Sequence, residues 1–389
     1  MKKLYDYKNV FEENKNFFCI SALIIGIALR FVLTFLGHNF DFESYCIVGK
    51  IVNDGGNVYA STSRYNYGPI FFTIMGLFYN IASNFVNTRL VYRILIVSLL
   101  TLADISIAKF VSKKAGLLWG ILFFLNPISL IITGYHNQFD NIAVALALWG
   151  ALFLQKNCSE KKINFNDIVG ICLLSISLIT KHVFFAFPAW ILLNKNILFK
   201  KKIIYAFIPP ILFLLSFIPY VAEGWNGILK NVFFYSSFNN FPLFAAGIID
   251  YIYPLPQYLL NSFTVIFFSL IIIAGYIFKN EKIEISILFY TISLVCCSSA
   301  IANQYIVIPC AALMILLNKK SFLYFLTGGF YLCIDINGLH IPQLLAEYSI
   351  IQFNFFMKVI TNGKLWYTIL AWILLFLLFS ARKERIKNV

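Results

Sequence analysis

The feature that most constrains this chain is a repeat of apolar blocks, each roughly 14 to 21 residues long, separated by short polar or basic connectors. A hydrocarbon layer about 30 Å thick imposes this pattern, because a spanning helix rises about 1.5 Å per residue and satisfies its own backbone hydrogen bonds. Blocks such as 265–278 are apolar on every side, whereas the strands of a membrane barrel alternate with a period of two. Composition agrees: 60% of the 389 residues are hydrophobic and 12% are charged, about half the charged share of a soluble chain. The expected fold class is all-α, a polytopic membrane protein forming a single domain over residues 1–389.

Spans are expected near residues 17–36, 91–110, 116–133, 140–155, 166–181, 183–198, 203–220, 258–278, 284–301, 304–318, 321–334 and 365–380. That makes about twelve, provided the short apolar piece 69–82 does not cross. Most of the 31 Lys and Arg residues then share the side of the two termini, which the positive-inside rule makes cytoplasmic. A crossing at 69–82 would reverse the bias, so this piece is expected to be re-entrant or to lie on the surface. No small-residue cleavage site closes the first apolar block, which is expected to be a retained helix. Two polar stretches face the non-cytoplasmic side: 37–90, an outer loop with interfacial helices, and 222–257, a second outer loop. Histidines His38, His136, His182 and His340 fall at or beyond the outer span ends. So do the acids Asp41, Glu43, Asp54, Asp140, Glu223, Asp250, Asp335 and Glu347.

The net charge of +14 is spread as doublets between apolar blocks, so it reads as a topology signal and not as a nucleic-acid surface. Eight cysteines lie mostly within apolar blocks without CxxC or Cys/His spacing, so no disulfide or metal is expected from them. Arg30 and Asp104 sit inside spans, where a charge must be paired, and are expected to be structural partners within the bundle. The alternative reading, a lipid-linked saccharide flippase or other transporter, would concentrate polar groups at broken helices near the midplane.

Chemistry concentrates in residues 40–69. Asp41 and Glu43 follow the first span; either carboxylate can take a proton from an attacking hydroxyl, and the pair can ligate a divalent cation. In a strand the two point the same way, and in a helix they lie about 200° apart. Tyr45, Tyr59, Arg64, Tyr65 and Tyr67 crowd the same stretch, as in a site that stacks sugar rings. A second cluster, His136, Gln138 and Asp140 in the turn after Asn126-Pro127, is rich in groups that recognise hydroxyls. Lys181 and His182 end a span on the same face, where the lysine either snorkels to the interface or receives a phosphate as a point charge. Asn303, Gln304 and Tyr305 head another span, and Lys230, Tyr235, Asn239 and Asn240 lie in the second outer loop; for both, a plain helix-end or loop reading stays open.

In their order these features resemble the GT-C class of membrane glycosyltransferases, especially the mannosyltransferase that adds the first mannose to the glycosylphosphatidylinositol precursor. Asp41-Phe42-Glu43-Ser44-Tyr45 looks like that family's acidic DxD-like motif with its following Tyr. Gly56-Asn57-Val58-Tyr59 and Tyr65-Asn66-Tyr67-Gly68-Pro69 look like its Gly-x-x-Tyr and aromatic Tyr-x-Tyr-x-Pro motifs. Asn126-Pro127, Lys181 with Pro188, and Gln304-Tyr305 are similar to later motifs in the same order. There are two departures: the second acid is Glu43 rather than Asp, and the turn 136–141 looks more like the glucosyltransferase branch of the class. The resemblance implies a polyprenyl-phosphate sugar donor, a lipid-linked or surface glycan acceptor, and an inverting single displacement at the outer face. It makes Asp41 the base, with Glu43 assisting or holding a divalent cation, and Lys181 the group that holds the departing phosphate. Tyr45, Tyr59, Arg64, Tyr67, His136, Gln138, Asp140, His182, Gln304 and Tyr305 are then expected around donor and acceptor. Membrane lipid is the remaining expected partner; no nucleic acid is expected.

Overall fold

The computed structural model describes residues 13–235, 244, 262–298, 302–335, 337–341 and 362–387. Among them every regular element is a helix, as lipid demands of a chain that closes no barrel. In chain order they are α1 (Lys15–Leu36), α2 (Phe40–Asn53), α3 (Val58–Ser61), α4 (Pro69–Ala82), α5 (Thr88–Ala115), α6 (Leu117–Phe124), α7 (Pro127–Ile131), α8 (Asp140–Gln155) and α9 (Phe165–Thr180). There follow α10 (Phe187–Leu193), α11 (Phe199–Leu215), α12 (Val221–Ile228), α13 (Phe263–Ile277), α14 (Ile283–Cys297), α15 (Cys310–Leu317), α16 (Ser321–Ile334) and α17 (Gly363–Lys387).

Five stretches among the described residues are long and apolar enough to cross a membrane: α1, α5, Phe199–Phe233, Asn303–Ile334 and Gly363–Glu384. The bent pair Leu117–Phe124 and Pro127–His136 is a sixth if it counts as one span. The protein is thus a helical integral membrane protein. Other expected spans are shorter helices: α8 and α9 have 16 residues and α13 and α14 have 15, a rise of about 22–24 Å. The expected span 183–198 holds the end of a 3-10 turn, His182–Phe184, and the seven residues of α10, which ends where Asn194 turns extended. The expected spans 304–318 and 321–334 fall within the single run Asn303–Ile334, interrupted at Asn318 with its φ of 44°. Of the second outer loop, Asn239, Asn240 and Asp250 lie outside the described residues, as does Glu347.

Residues 40–82 are mostly helical. On α2 the residues Phe42, Tyr45, Val48 and Gly49 recur at helical spacing and are buried, and this face packs against α4. Helix α4 begins at Pro69, whose missing N–H costs nothing at a first helical position, and its 14 residues rise only about 21 Å.

Proline also breaks the chain at Asn126-Pro127. The residue before a proline disfavours helical backbone, and Asn126 is extended at φ −67°, ψ 143°, so α6 stops and α7 restarts after a bend of 42°. The Asn126 side chain caps the new helix by accepting from Ser129 N at 2.9 Å. A π turn over Ile132–His136 then runs into Asn137, which is left-handed at φ 59° and turns the chain toward α8.

The hub beneath this turn is an ion pair between α1 and α5. Arg30 and Asp104 are both fully buried, and Asp104 Oδ2 accepts from Arg30 Nη2 at 2.7 Å and Nε at 3.0 Å. Ser129 and Thr133 hydroxyls donate to the same oxygen, at 2.9 and 2.7 Å, and the Asn141 amide donates to Oδ1. The expected pairing of the two intramembrane charges is therefore met, each by the other. Gly134 allows the approach, since a Cβ there would lie 2.7 Å from Arg30 O. Replacing Asp104 with Ala leaves the arginine uncompensated and is expected to destabilise the protein by about 3–5 kcal/mol. The double Arg30→Leu/Asp104→Leu variant is expected to recover much of that loss, as measured by thermal unfolding in detergent.

Candidate active site

The site forms where α1, the π turn and α8 emerge from the hub. Asn39 caps α2 by accepting from Asp41 N at 3.1 Å, which places Asp41 in the first turn of the helix. The carboxylate is held at one oxygen: Asp41 Oδ2 accepts from Asn39 Nδ2 at 3.2 Å and from Gln138 Nε2. Gln138 is turned into place by Tyr45, whose hydroxyl donates to its Oε1 at 3.4 Å. Burial, and then the negative charge of Asp41, push the Tyr45 phenol well above its usual range, so it remains a donor. Asp41 Oδ1 has no hydrogen-bond partner among the described residues and the side chain lines a cavity of about 550 Å³.

That cavity gathers Asp41, Tyr45, Arg64, Tyr67, His136, Gln304 and Tyr305 from four separate parts of the chain. Arg64 stands at its wall with its guanidinium 4.2 Å above the Phe40 ring and 3.4 Å from Ser44 Oγ. Asn39, Asn66, Asn303, Tyr331 and Asp335 also line it, of which Asn39 and Tyr331 were not expected there from the sequence. Asp335 is buried and fixed by Asn303 Nδ2 at 2.8 Å, while Tyr331 and Tyr367 donate to Asn303 Oδ1.

A second cavity, of about 280 Å³, adjoins the first. Lys181 and His182 line it with the apolar side chains of Phe185, Phe267, Leu294, Val295 and Ile308. Asn66, Tyr67, Tyr235 and Tyr305 belong to both walls, so the two spaces meet at these residues. Lys181 Nζ is bound to Asp140 Oδ2 at 2.7 Å, both groups being buried, and lies 4.9 Å from the Tyr67 ring and 4.7 Å from the Phe139 ring. Burial, and then the charges of Asp140 and Asp41, raise the Tyr67 phenol well above its ordinary value. Gly68 brings this loop against α9: a Cβ there would lie 2.0 Å from Ile179 O.

Other expected site residues stand apart. Glu43 lies on the other side of α2 from Asp41, with Arg89 and, at 3.4 Å, His38 Nε2 as partners. This is the divergence a helix imposes on residues two apart, so the two carboxylates form no joint cation site. Among the described residues no three His, Cys, Asp or Glu side chains group to hold a metal ion. Tyr59 is buried in an aromatic cluster with Phe72, Phe217 and Tyr220, and its hydroxyl donates to Tyr67 O at 2.8 Å. Gln138 and Asp140 lie behind the lining, holding Asp41 and Lys181. Arg93 ties the two halves of the site together, donating to Asn137 Oδ1 at 2.8 Å and to the carbonyls of Gly37 and Tyr135.

No family profile matches this chain, and no curated protein or solved structure shows significant similarity to it.

The two ion pairs of the region differ in burial and so in expected weight. Asp140→Ala strands a buried lysine and is expected to cost about 3–5 kcal/mol. Glu43→Ala opens a pair whose side chains are 58% and 36% exposed and is expected to cost about 1 kcal/mol or less. Parallel denaturation of the two variants checks the contrast.

Proposed function

We propose that the protein transfers one mannose-like hexose, with inversion, from a polyprenyl-phosphate donor to a lipid-linked or surface glycan acceptor. The observation that carries this reading is the junction at Tyr67 and Tyr305 of a polar cavity holding a carboxylate with an apolar cavity holding a lysine. A lipid-linked sugar phosphate has its parts in the same order: an apolar tail, an anionic phosphate, then a ring of hydroxyls. The tail suits the wall of Phe185, Phe267 and Ile308, the phosphate suits Lys181, and the sugar suits the tyrosines between.

In the reaction the acceptor oxygen attacks the anomeric carbon on the face opposite the phosphate. Its proton passes to Asp41 Oδ1, the carbon–oxygen bond to phosphate breaks, and polyprenyl phosphate departs beside Lys181. Gln138 and Tyr45 hold the base, and Arg64, His136 and Gln304 bind hydroxyls in the polar cavity. Asp140 and His182 flank the lysine, and Tyr59 supports the loop that carries Tyr67. Glu43 acts through the surface of α2 and not at the reacting atoms. The charge bias of the connectors supports twelve spans, cytoplasmic termini and a site on the non-cytoplasmic face.

Asp41→Asn is expected to lower sugar transfer by roughly 10²- to 10⁴-fold, measured with purified protein, a polyprenyl-phosphate sugar and an acceptor extract. Unchanged transfer would remove Asp41 as the base, and movement of the lipid-linked saccharide without bond exchange would favour a flippase. In a cysteine-free background, Ser61→Cys is expected to react with an impermeant thiol reagent on intact cells and Ser159→Cys is not. The opposite pattern reverses the topology.

A further inference from the structure

We propose that Asn39 is a positioning residue that fixes both the carboxylate of Asp41 and the tautomer of His136; its role in turnover rests on the reading of Asp41 as the base. The direction of the Asn39 amide is set by its own backbone contact. Its Oδ1 accepts from Asp41 N at 3.1 Å as the cap of α2, so Nδ2 faces the other way. That nitrogen lies 3.2 Å from Asp41 Oδ2 and 3.1 Å from His136 Nδ1. An amide nitrogen has two hydrogens, and here each has one acceptor. A flipped amide would lose the cap and set its oxygen against the carboxylate.

The consequence falls on the imidazole. A ring nitrogen that accepts from an amide carries no proton, so His136 is neutral with its hydrogen on Nε2. His136 is fully buried and lines the polar cavity, and its Nε2 has no hydrogen-bond partner among the described residues. A buried donor left unpaired is unfavourable, and a ligand oxygen settling against the ring would restore the missing bond. Asn39 thus assigns opposite tasks to its neighbours: Asp41 keeps Oδ1 as an acceptor for a hydroxyl proton, and His136 keeps Nε2–H as a donor to a hydroxyl or phosphate oxygen. The residue lies two positions before Asp41 and 97 before His136, so one cap couples two distant parts of the chain.

The test is the nitrogen spectrum of full-length protein labelled with ¹⁵N-histidine in detergent, where protonated and unprotonated ring nitrogens are well separated. The His136 signals are assigned by their loss in His136→Gln. Wild type is expected to show His136 protonated at Nε2 and bare at Nδ1. Asn39→Asp keeps an oxygen for the cap but turns the partner of Nδ1 into an acceptor, so the proton is expected to move to Nδ1. Asn39→Ser also keeps a capping oxygen, removes both N–H groups and is expected to give a mixture of tautomers. A wild-type proton on Nδ1, or an Asn39→Ser spectrum identical to wild type, overturns the proposal, and neither result depends on Asn39→Asp folding. These spectra do not read sugar transfer, so they stand or fall apart from the proposed reaction. Where wild type transfers sugar, Asn39→Ser is expected to lower kcat by roughly 10- to 100-fold with KM little changed. An unchanged kcat in a variant whose tautomer has shifted overturns the positioning role.

Discussion

Neither Arg30 nor Asp104 is tolerable in hydrocarbon alone, so the pairing of α1 with α5 is a condition of either helix staying in the bilayer. Asp104 does more than neutralise one guanidinium, because it also collects donors from α7, the π turn and the first turn of α8. Three of these elements then lead into the site: α1 leads to Asn39 and Asp41, the π turn ends at His136, and α8 begins with Asp140. The position of the cavity is thus inherited from the hub. The two oxygens of Asp104 are held by partners from several helices, which ties those helices together at one point.

Above the hub the loops are held by close contact and not by regular pairing. Arg93 ties the backbone after α1 to the turn before α8, and Gly68 lets the Tyr67 loop lie directly on α9. The tyrosines of residues 45–67 divide between two kinds of work. Tyr59 packs inward and donates to the backbone oxygen of Tyr67, whereas Tyr45, Tyr65 and Tyr67 border the open space, Tyr65 also donating to Gly68 O.

Apolar runs made the helical membrane class legible, and the need to pair buried charges made Arg30 and Asp104 legible as paired groups within the bundle. Span boundaries were less so, because hydropathy does not register where a chain breaks: Asn126-Pro127 divides one apolar block, and Asn194 stops another after seven helical residues. Within the site, Asp41 and His136 were visible from their types and placement, and they do share a cavity. Their support was not visible. Asn39 looks like an ordinary residue before a helix, and its contact with His136 depends on the left-handed turn at Asn137 and the fold that brings the two segments together. The roles of Glu43 and Tyr59 hinge on helix phase and packing, which residue type does not convey.

The bond between Lys181 and Asp140 bears on how the pocket empties. A lysine already matched by a carboxylate presents an incoming anion with a dipole and not with a full positive charge. An anionic group bound there would compete with Asp140 for the ammonium and so be held more weakly than on an unmatched cation. In the proposed cycle, which would end with a charged lipid diffusing away through the bilayer, such a partial hold would favour turnover over tight product capture.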